Sequence, residues 1–416
     1  MKMIKELRVF RRSFLRLLGA GLAGLSRGAN EELPPVRAIT RGPKFHWFGY
    51  YDKLQFDPTS RYVLGMEVGF EHRTPRANDI IKLGMIDLAD GDRWIELGES
   101  RAWCWQQGCM LQWIPGSTSE VIWNDREGDR FVARILDVKT RKQRTLPGPI
   151  YTLSPDGHWA VTPNFARLQD CRPGYGYVGA VDANKDIRAP ENDGIWRMNL
   201  RTGKRELIIP YATALRIPYE AGGLDEAKHW YNHLLFAPDG KRFIFLHRWR
   251  GPKQGRSFET RMFTANLEGQ ELFVLDPYGK TSHFIWRDAR NVLAWSWHPS
   301  RGDRFYLYED RTGKVEVVGE GVMTVNGHCS YLPNKEWILN DTYPDKNRNQ
   351  NPYLYNTKTN KRYWLGHFRS PEEYSGEWRC DTHPRFSPDG KMVTIDSPHA
   401  GAGRQIYLID IREIAG

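Results

Sequence analysis

Four of the twelve histidines in this chain share one spacing. His233, His328 and His383 each precede a turn proline (Pro238, Pro333, Pro388) by five residues, and His283 precedes Asp288 by the same five. Uncharged imidazoles brought to one height converge on a divalent cation, Zn²⁺ or Mn²⁺, with intrinsic affinity favouring Zn²⁺ at an all-nitrogen set. The other arrangement open to them is a hydrogen-bonded ring around channel water. Gln106 or Gln107 and Asp381, near other strand starts, would complete or orient such a shell.

The shared spacing implies a repeated element. An apolar strand, a Pro-Asp-Gly-like turn and a second apolar strand recur seven times, with turns at 57–60, 114–116, 154–157, 237–240, 287–290, 332–335 and 387–390. Proline presets such a turn, and Asp, Asn or Gly supplies its tight second half. Most copies are followed by a second hairpin, as in "LGMIDLADGDRWIEL" and "FYLYEDRTGKVEVV". Two hairpins per unit make a four-stranded blade, and seven units make an all-β, seven-bladed β-propeller over residues 36–416. The last unit, ending in "RQIYLIDIREIAG", lacks an outer strand, which the segment around "PVRAIT" is expected to supply. The excursions 168–192 and 249–260 read as loops, and no helical period is expected between blades.

In a propeller the inner-strand starts and the ends of the second strands lie on one face. The first three blades place Lys53, Met110 and Ile150 at the histidine position. Tyr151 opens the inner strand of blade three, and Arg167 follows that blade's second strand. His72, Arg126, His247, His298 and His399 occupy similar post-strand positions, and His46, Tyr50 and Tyr51 precede the first turn. No GxSxG, HExxH, P-loop or dinucleotide motif is present.

Residues 1–30 read as a twin-arginine export leader: Arg11-Arg12, then Phe14-Leu15, then a weakly apolar Gly/Ala run too short for a comfortable bilayer span. The protein is therefore expected in the periplasm or outside the cell, with no stable membrane span unless the leader stays uncleaved. That leader carries a net +6 of the formal +10, so the remainder holds only +4 and no nucleic-acid partner is expected. The five cysteines form no CxxC pair and read as buried thiols. Sixteen tryptophans and nineteen tyrosines suit short strands and sugar-lined grooves alike.

An exported seven-bladed propeller with histidines at its inner-strand starts resembles the propeller polysaccharide lyases, namely the oligogalacturonate and ulvan lyases. The likeness rests on "YNHLLFAPDGKRFIFLHRW", "CDTHPRFSPDGK" and the Tyr151/Arg167 pair. It implies β-elimination beside a uronic acid in an acidic oligo- or polysaccharide. A base removes the C5 proton once an arginine or metal neutralises the neighbouring carboxylate, and the 4-linked sugar departs. Resemblance to the ulvan lyases implies Tyr151 as acid/base and Arg167 as carboxylate neutraliser. Resemblance to the oligogalacturonate lyases implies the ring His233, His283, His328 and His383 as cation holder. His233 and His46 are further catalytic candidates, and His72, Lys53, Gln107, Arg126 and His247 are substrate-binding candidates. The chain departs from both families in blade two, which offers Gln106 and Gln107 and no second catalytic histidine. Two other functions fit the scaffold. One is a glycoside hydrolase on acidic glycans using Asp52, Asp125, Asp341 or Asp396. The other is a non-catalytic periplasmic binding propeller.

Overall fold

Six of the seven repeated turns are closed by one bond, from the backbone N–H of the fourth residue to the carbonyl of the first, at 2.8–3.0 Å. Five of these hold their fourth residue in the left-handed region: Ser60, Gly157, Gly240, Lys335 and Gly390. The fifth copy has no proline and closes differently. Its Asp288 carboxylate accepts the backbone N–H groups of Arg290 (2.9 Å) and Asn291 (3.0 Å). The outer hairpins carry a second recurring device. Asp137, Asn199 and Asn356 each accept two backbone N–H groups from the turn that follows, the local bonding that makes Asx residues good turn formers.

The computed structural model describes residues 32–416, which excludes the expected leader. Among the described residues there are seven four-stranded antiparallel sheets, the blades of a seven-bladed propeller. Blades one to six occupy 45–100, 112–146, 152–210, 228–276, 281–317 and 330–364. Blade seven takes its three inner strands from 385–410 and its outermost from Val36–Ala38, which pairs antiparallel with Gln405–Asp410. The expected closure of the ring by "PVRAIT" is thereby observed. A small sheet pairs Asn349–Gln350 with Phe368–Arg369 in the excursion of blade six.

Because neighbouring blades stack face to face, most strands are buried on both sides. Simple in–out alternation is absent from Arg242–Arg250, for example, where every residue before Arg250 is buried. Aromatic side chains fill the wedges between blades; Trp47, Trp103 and Trp105 pack with ring centroids 5.1–5.7 Å apart. All five cysteines are free and buried. No described helix is long and apolar enough to cross a membrane.

Short helices depart from the sequence reading, among them Tyr211–Leu215 between blades three and four and Arg412–Ala415 after the last strand. Phe165–Cys171, at the start of the blade-three excursion, is helical, with Asn164 Oδ1 accepting the N–H groups of Ala166 and Arg167. Seven residues are too few to display a 3.6-residue period, so the cap was the available signal.

Candidate active site

The channel side chains are aimed by irregularities in the inner strands. His233 and His383 have positive φ (52° and 40°), as does Met110 at the same register of blade two. The ladder of blade four shifts between Asn232 and Leu235, and that of blade five between Thr281 and Phe284. Such bulges turn a side chain out of the pleat and concentrate near functional sites. In blade one the inner strand is broken between Trp47 and Gln55, which pushes Tyr50 and Tyr51 into the channel. Tyr51 Oη crosses to blade five, donating to the Phe284 carbonyl (2.8 Å) and accepting the Phe284 N–H (3.1 Å). It thereby pairs two backbone groups beside the bulge that carries His283.

Three of the four expected histidines meet, and His233 does not join them. The rings of His283 and His328 are 4.1 Å apart, and those of His328 and His383 are 4.2 Å apart. One ligand atom each from His328, His383 and Asp381 lie within 4.8 Å of one another. His383 Nε2 is buried with no hydrogen-bond partner, and so is Oε1 of Gln350, whose amide nitrogen lies 3.5 Å from Asp381. Two imidazoles, a carboxylate and an unpartnered amide oxygen fit a divalent cation. His283 flanks this group; its Nδ1 is 2.9 Å from Asn326 Oδ1 and its Nε2 is 3.4 Å from Tyr343 Oη. His233 stands apart from it, stacked on Tyr50 with ring centroids 5.0 Å apart.

His233 forms a second centre with Tyr151 and Gln107. Tyr151 Oη and Gln107 Nε2 lie 3.1 and 3.2 Å from His233 Nδ1, and the Gln107 amide also donates to Tyr151 Oη at 2.7 Å. An amide N–H only donates, so Nδ1 is the acceptor and Nε2, 3.5 Å from Tyr50 Oη, carries the ring hydrogen. Lys53 Nζ sits 4.7 Å from the Tyr151 ring centroid and 2.9 Å from Asp52. Burial holds His233, His283 and His383 well below the ordinary imidazole value, with Arg248 adding to this at His233 and His328 at the other two. Burial likewise keeps the Tyr151 phenol protonated, its pKa pushed well above the usual one.

Three arginines missing from the sequence expectations surround this centre. Arg248 is buried, yet its Nε and one terminal nitrogen have no acceptor. Burial first, then the neighbouring Arg172, lower it to about 9. Arg172 lies 4.1 Å from the Tyr175 ring centroid and also has a nitrogen without an acceptor. Arg379 donates to Asp381 and to Tyr175 Oη, both at 2.7 Å. Burial raises the Tyr175 pKa, but Arg379 and Arg172 outweigh it and hold the phenol below its ordinary value. The segment 371–380, which carries Arg379, ties the loops of three blades together through Glu377 to Thr74, Gln106 to the Glu377 carbonyl, and Arg379 to Tyr175.

Several expected site residues lie elsewhere. Arg167 is fully buried and all five of its donors are engaged, by the His229, Asn184, Ile187 and Arg188 carbonyls and by Asp182. It ties the blade-three excursion to blade four and has no donor left for a carboxylate. His247 pairs with His229 (2.8 Å) and approaches Arg261 inside blade four. Side chains alternate along a strand, so the residue of that strand facing the channel is its neighbour Arg248. His46 lies between Gln405 and Glu67, facing a separate cleft of ≈ 310 Å³ lined by Trp94, Arg41 and Lys44. Exposed His72 packs on the Tyr374 ring, and Arg126 donates to the Gly128 and Ala77 carbonyls. The carboxylates considered for hydrolysis are all engaged: Asp52 by Lys53, Asp125 by Arg134, Asp341 by His328 and Asp396 by Arg385.

The chain matches no protein-family model and no curated protein. Solved structures do match it over nearly its whole length. An oligogalacturonate lyase from Vibrio parahaemolyticus superposes with a TM-score of 0.64 at 14% identity, covering 93% of this chain and 97% of that one. An oligogalacturonate lyase in complex with manganese gives 0.64 at 15% identity, covering 92% and 95%. The fold is that of these propeller lyases. A prolyl endopeptidase shares it more distantly, at a TM-score of 0.52 and 11% identity over 90% of this chain and 49% of that one.

Proposed function

We propose that the channel face is the active site of a lyase that cleaves acidic oligo- or polysaccharides beside a uronic acid by β-elimination. The observation that carries this reading is the uncharged His233–Tyr151 pair beside Arg248, a buried guanidinium with no acceptor for two of its nitrogens. An unpaired buried cation is costly, and a substrate carboxylate is the partner it lacks. With that carboxylate neutralised, the C5 proton becomes acidic enough to leave.

Tyr151 is the group that exchanges the proton, and His233 Nδ1 is its partner at 3.1 Å. As the phenol oxygen takes the C5 proton, its own hydrogen passes to the imidazole. The C4–O bond breaks, a C4=C5 double bond forms, the departing oxygen takes a proton from Tyr151, and His233 Nδ1 returns the hydrogen it received to Tyr151. Gln107 orients both groups. His328, His383 and Asp381 would hold a divalent cation, which when bound supplies further charge neutralisation for an acidic sugar. The reacting side chains are between 0% and 6% exposed.

The decisive assay follows ultraviolet absorbance of unsaturated uronate on a panel of uronate-containing glycans. Lyase products absorb; hydrolase products and bound but uncleaved glycan do not. The twin-arginine pattern supports action in the periplasm or outside the cell. Arg11→Lys with Arg12→Lys should then retain the protein in the cytoplasm, as cell fractionation would show.

A further inference from the structure

Asp341 directly follows the second strand of blade six, opposite His328, and is 1% exposed. Its Oδ1 accepts the His328 backbone N–H at 2.7 Å, and both of its oxygens face His328 Nδ1, at 2.9 and 3.0 Å. Oδ2 also accepts the Thr382 hydroxyl at 2.6 Å. Thr382 stands between Asp381 and His383, so one carboxylate holds a candidate ligand of blade six and the residue between two candidates in blade seven. Gly327 makes this approach possible, because a Cβ there would lie 1.9 Å from the Asp341 carbonyl oxygen.

The same position clasps the next blade elsewhere in the ring. Asn124 of blade two holds the backbone of Ile150 in blade three by two bonds of 2.7 Å. Asp396 of blade seven accepts the N–H groups of Phe48 (3.2 Å) and Gly49 (3.1 Å) in blade one. Asp341 differs from both in also holding an imidazole of its own blade. A carboxylate has no hydrogen to give, so His328 Nδ1 carries one, and the lone pair of the uncharged ring sits on Nε2.

We propose that Asp341 is a positioning residue that fixes the His328 ring with Nε2 free for a divalent cation. The role in metal binding rests on reading His328, His383 and Asp381 as a cation site. The bland alternative makes Asp341 an inter-blade clasp like Asn124. Asp341→Asn separates the two, because the amide keeps an acceptor for the clasp but can turn its NH₂ toward Nδ1 and reverse the tautomer.

Nitrogen NMR of the imidazole rings, on metal-free protein with His328 assigned through His328→Gln, should show hydrogen on Nδ1 in the wild type and on Nε2 in Asp341→Asn. Manganese titration followed by electron paramagnetic resonance should show affinity falling about 10–100-fold in that variant, with the unfolding midpoint nearly unchanged. Asp396→Asn should leave both His328 readouts as in the wild type. A wild-type His328 with its hydrogen on Nε2 overturns the proposal, and this measurement stands even if the variant does not fold. Equal manganese affinity in wild type and Asp341→Asn also overturns it. A wild type that binds no manganese at all refutes the cation site instead, while the tautomer still judges the Asp341–His328 pairing.

Discussion

Arg248 and Arg167 carry the same charge, yet only one has hydrogen-bonding capacity to spare. Arg248→Lys should lower kcat/KM at least about 10²-fold, because a point charge does not reproduce a planar fork. Tyr151→Phe should cost a similar factor in kcat while leaving oligosaccharide affinity within a few-fold, since only a hydroxyl is lost. Arg167→Lys should instead lower the unfolding midpoint, and an active, stable Tyr151→Phe enzyme would remove Tyr151 from the mechanism. The buried histidines also set a pH dependence. His229, His233, His283 and His383 all bind protons less readily folded than unfolded, burial being the first cause, and His229 is held at about 4. As pH falls, the unfolded chain takes up protons first. The stability these groups contribute is full above about pH 6.5 and is lost from there down toward the depressed folded values. Each group fully in that window costs about 1.4 kcal/mol per pH unit, so thermal unfolding from about pH 7 to about pH 5 should show a steadily falling midpoint. A midpoint that holds level would mean that these rings are more solvated than their burial indicates.

At the scale of elements, the turn device is robust and the channel register is not uniform. Blade five keeps its turn without proline because Asp288 accepts two backbone N–H groups and the side chain of Arg287. Asp288→Ala should therefore destabilise the protein by about 1–2 kcal/mol. Asp239→Ala in blade four should cost less, because the turn bond there is made by the backbone and Asp239 holds only the Lys241 N–H. Denaturant unfolding of the two variants checks the order. The five-before-proline register located the channel face correctly in the four histidine blades. In blade three the channel residue is the next one, Tyr151, because Ile150 is clasped by Asn124. In blade two, where Met110 has a positive φ of 58°, the place goes to Gln107. Bulges shift the side-chain phase by one residue, and nothing in the local residue types marks them.

Across the whole molecule, the ring is closed by one short strand. Deleting Val36–Ala38 would bare the outer edge of Gln405–Asp410, an open template for another chain. The expected result is a loss of about 2–4 kcal/mol and concentration-dependent association, read by thermal unfolding and light scattering. An unchanged, monomeric variant would show that side-chain packing alone keeps the ring shut.

Seven blades, their turns, the closing strand and the face bearing four histidines were legible in the chain itself, because turn chemistry and strand alternation are local and were repeated often enough to reinforce one another. Asp381, two residues before His383, was legible there too as completing or orienting the shell, and Arg379, which was not, continues the same alternation. What tertiary structure alone decided was which polar side chains remain unpaired. Arg167 had the expected type and place, but its donors are taken by a loop that folds back on it, whereas Arg248, one residue beyond the chosen His247, is left without an acceptor. The gathering of His328, His383 and Asp381 depends on the pitch at which blades six and seven meet. Satisfaction of a donor is a property of everything around it, and so is written in the packing of the chain and in no single stretch of it.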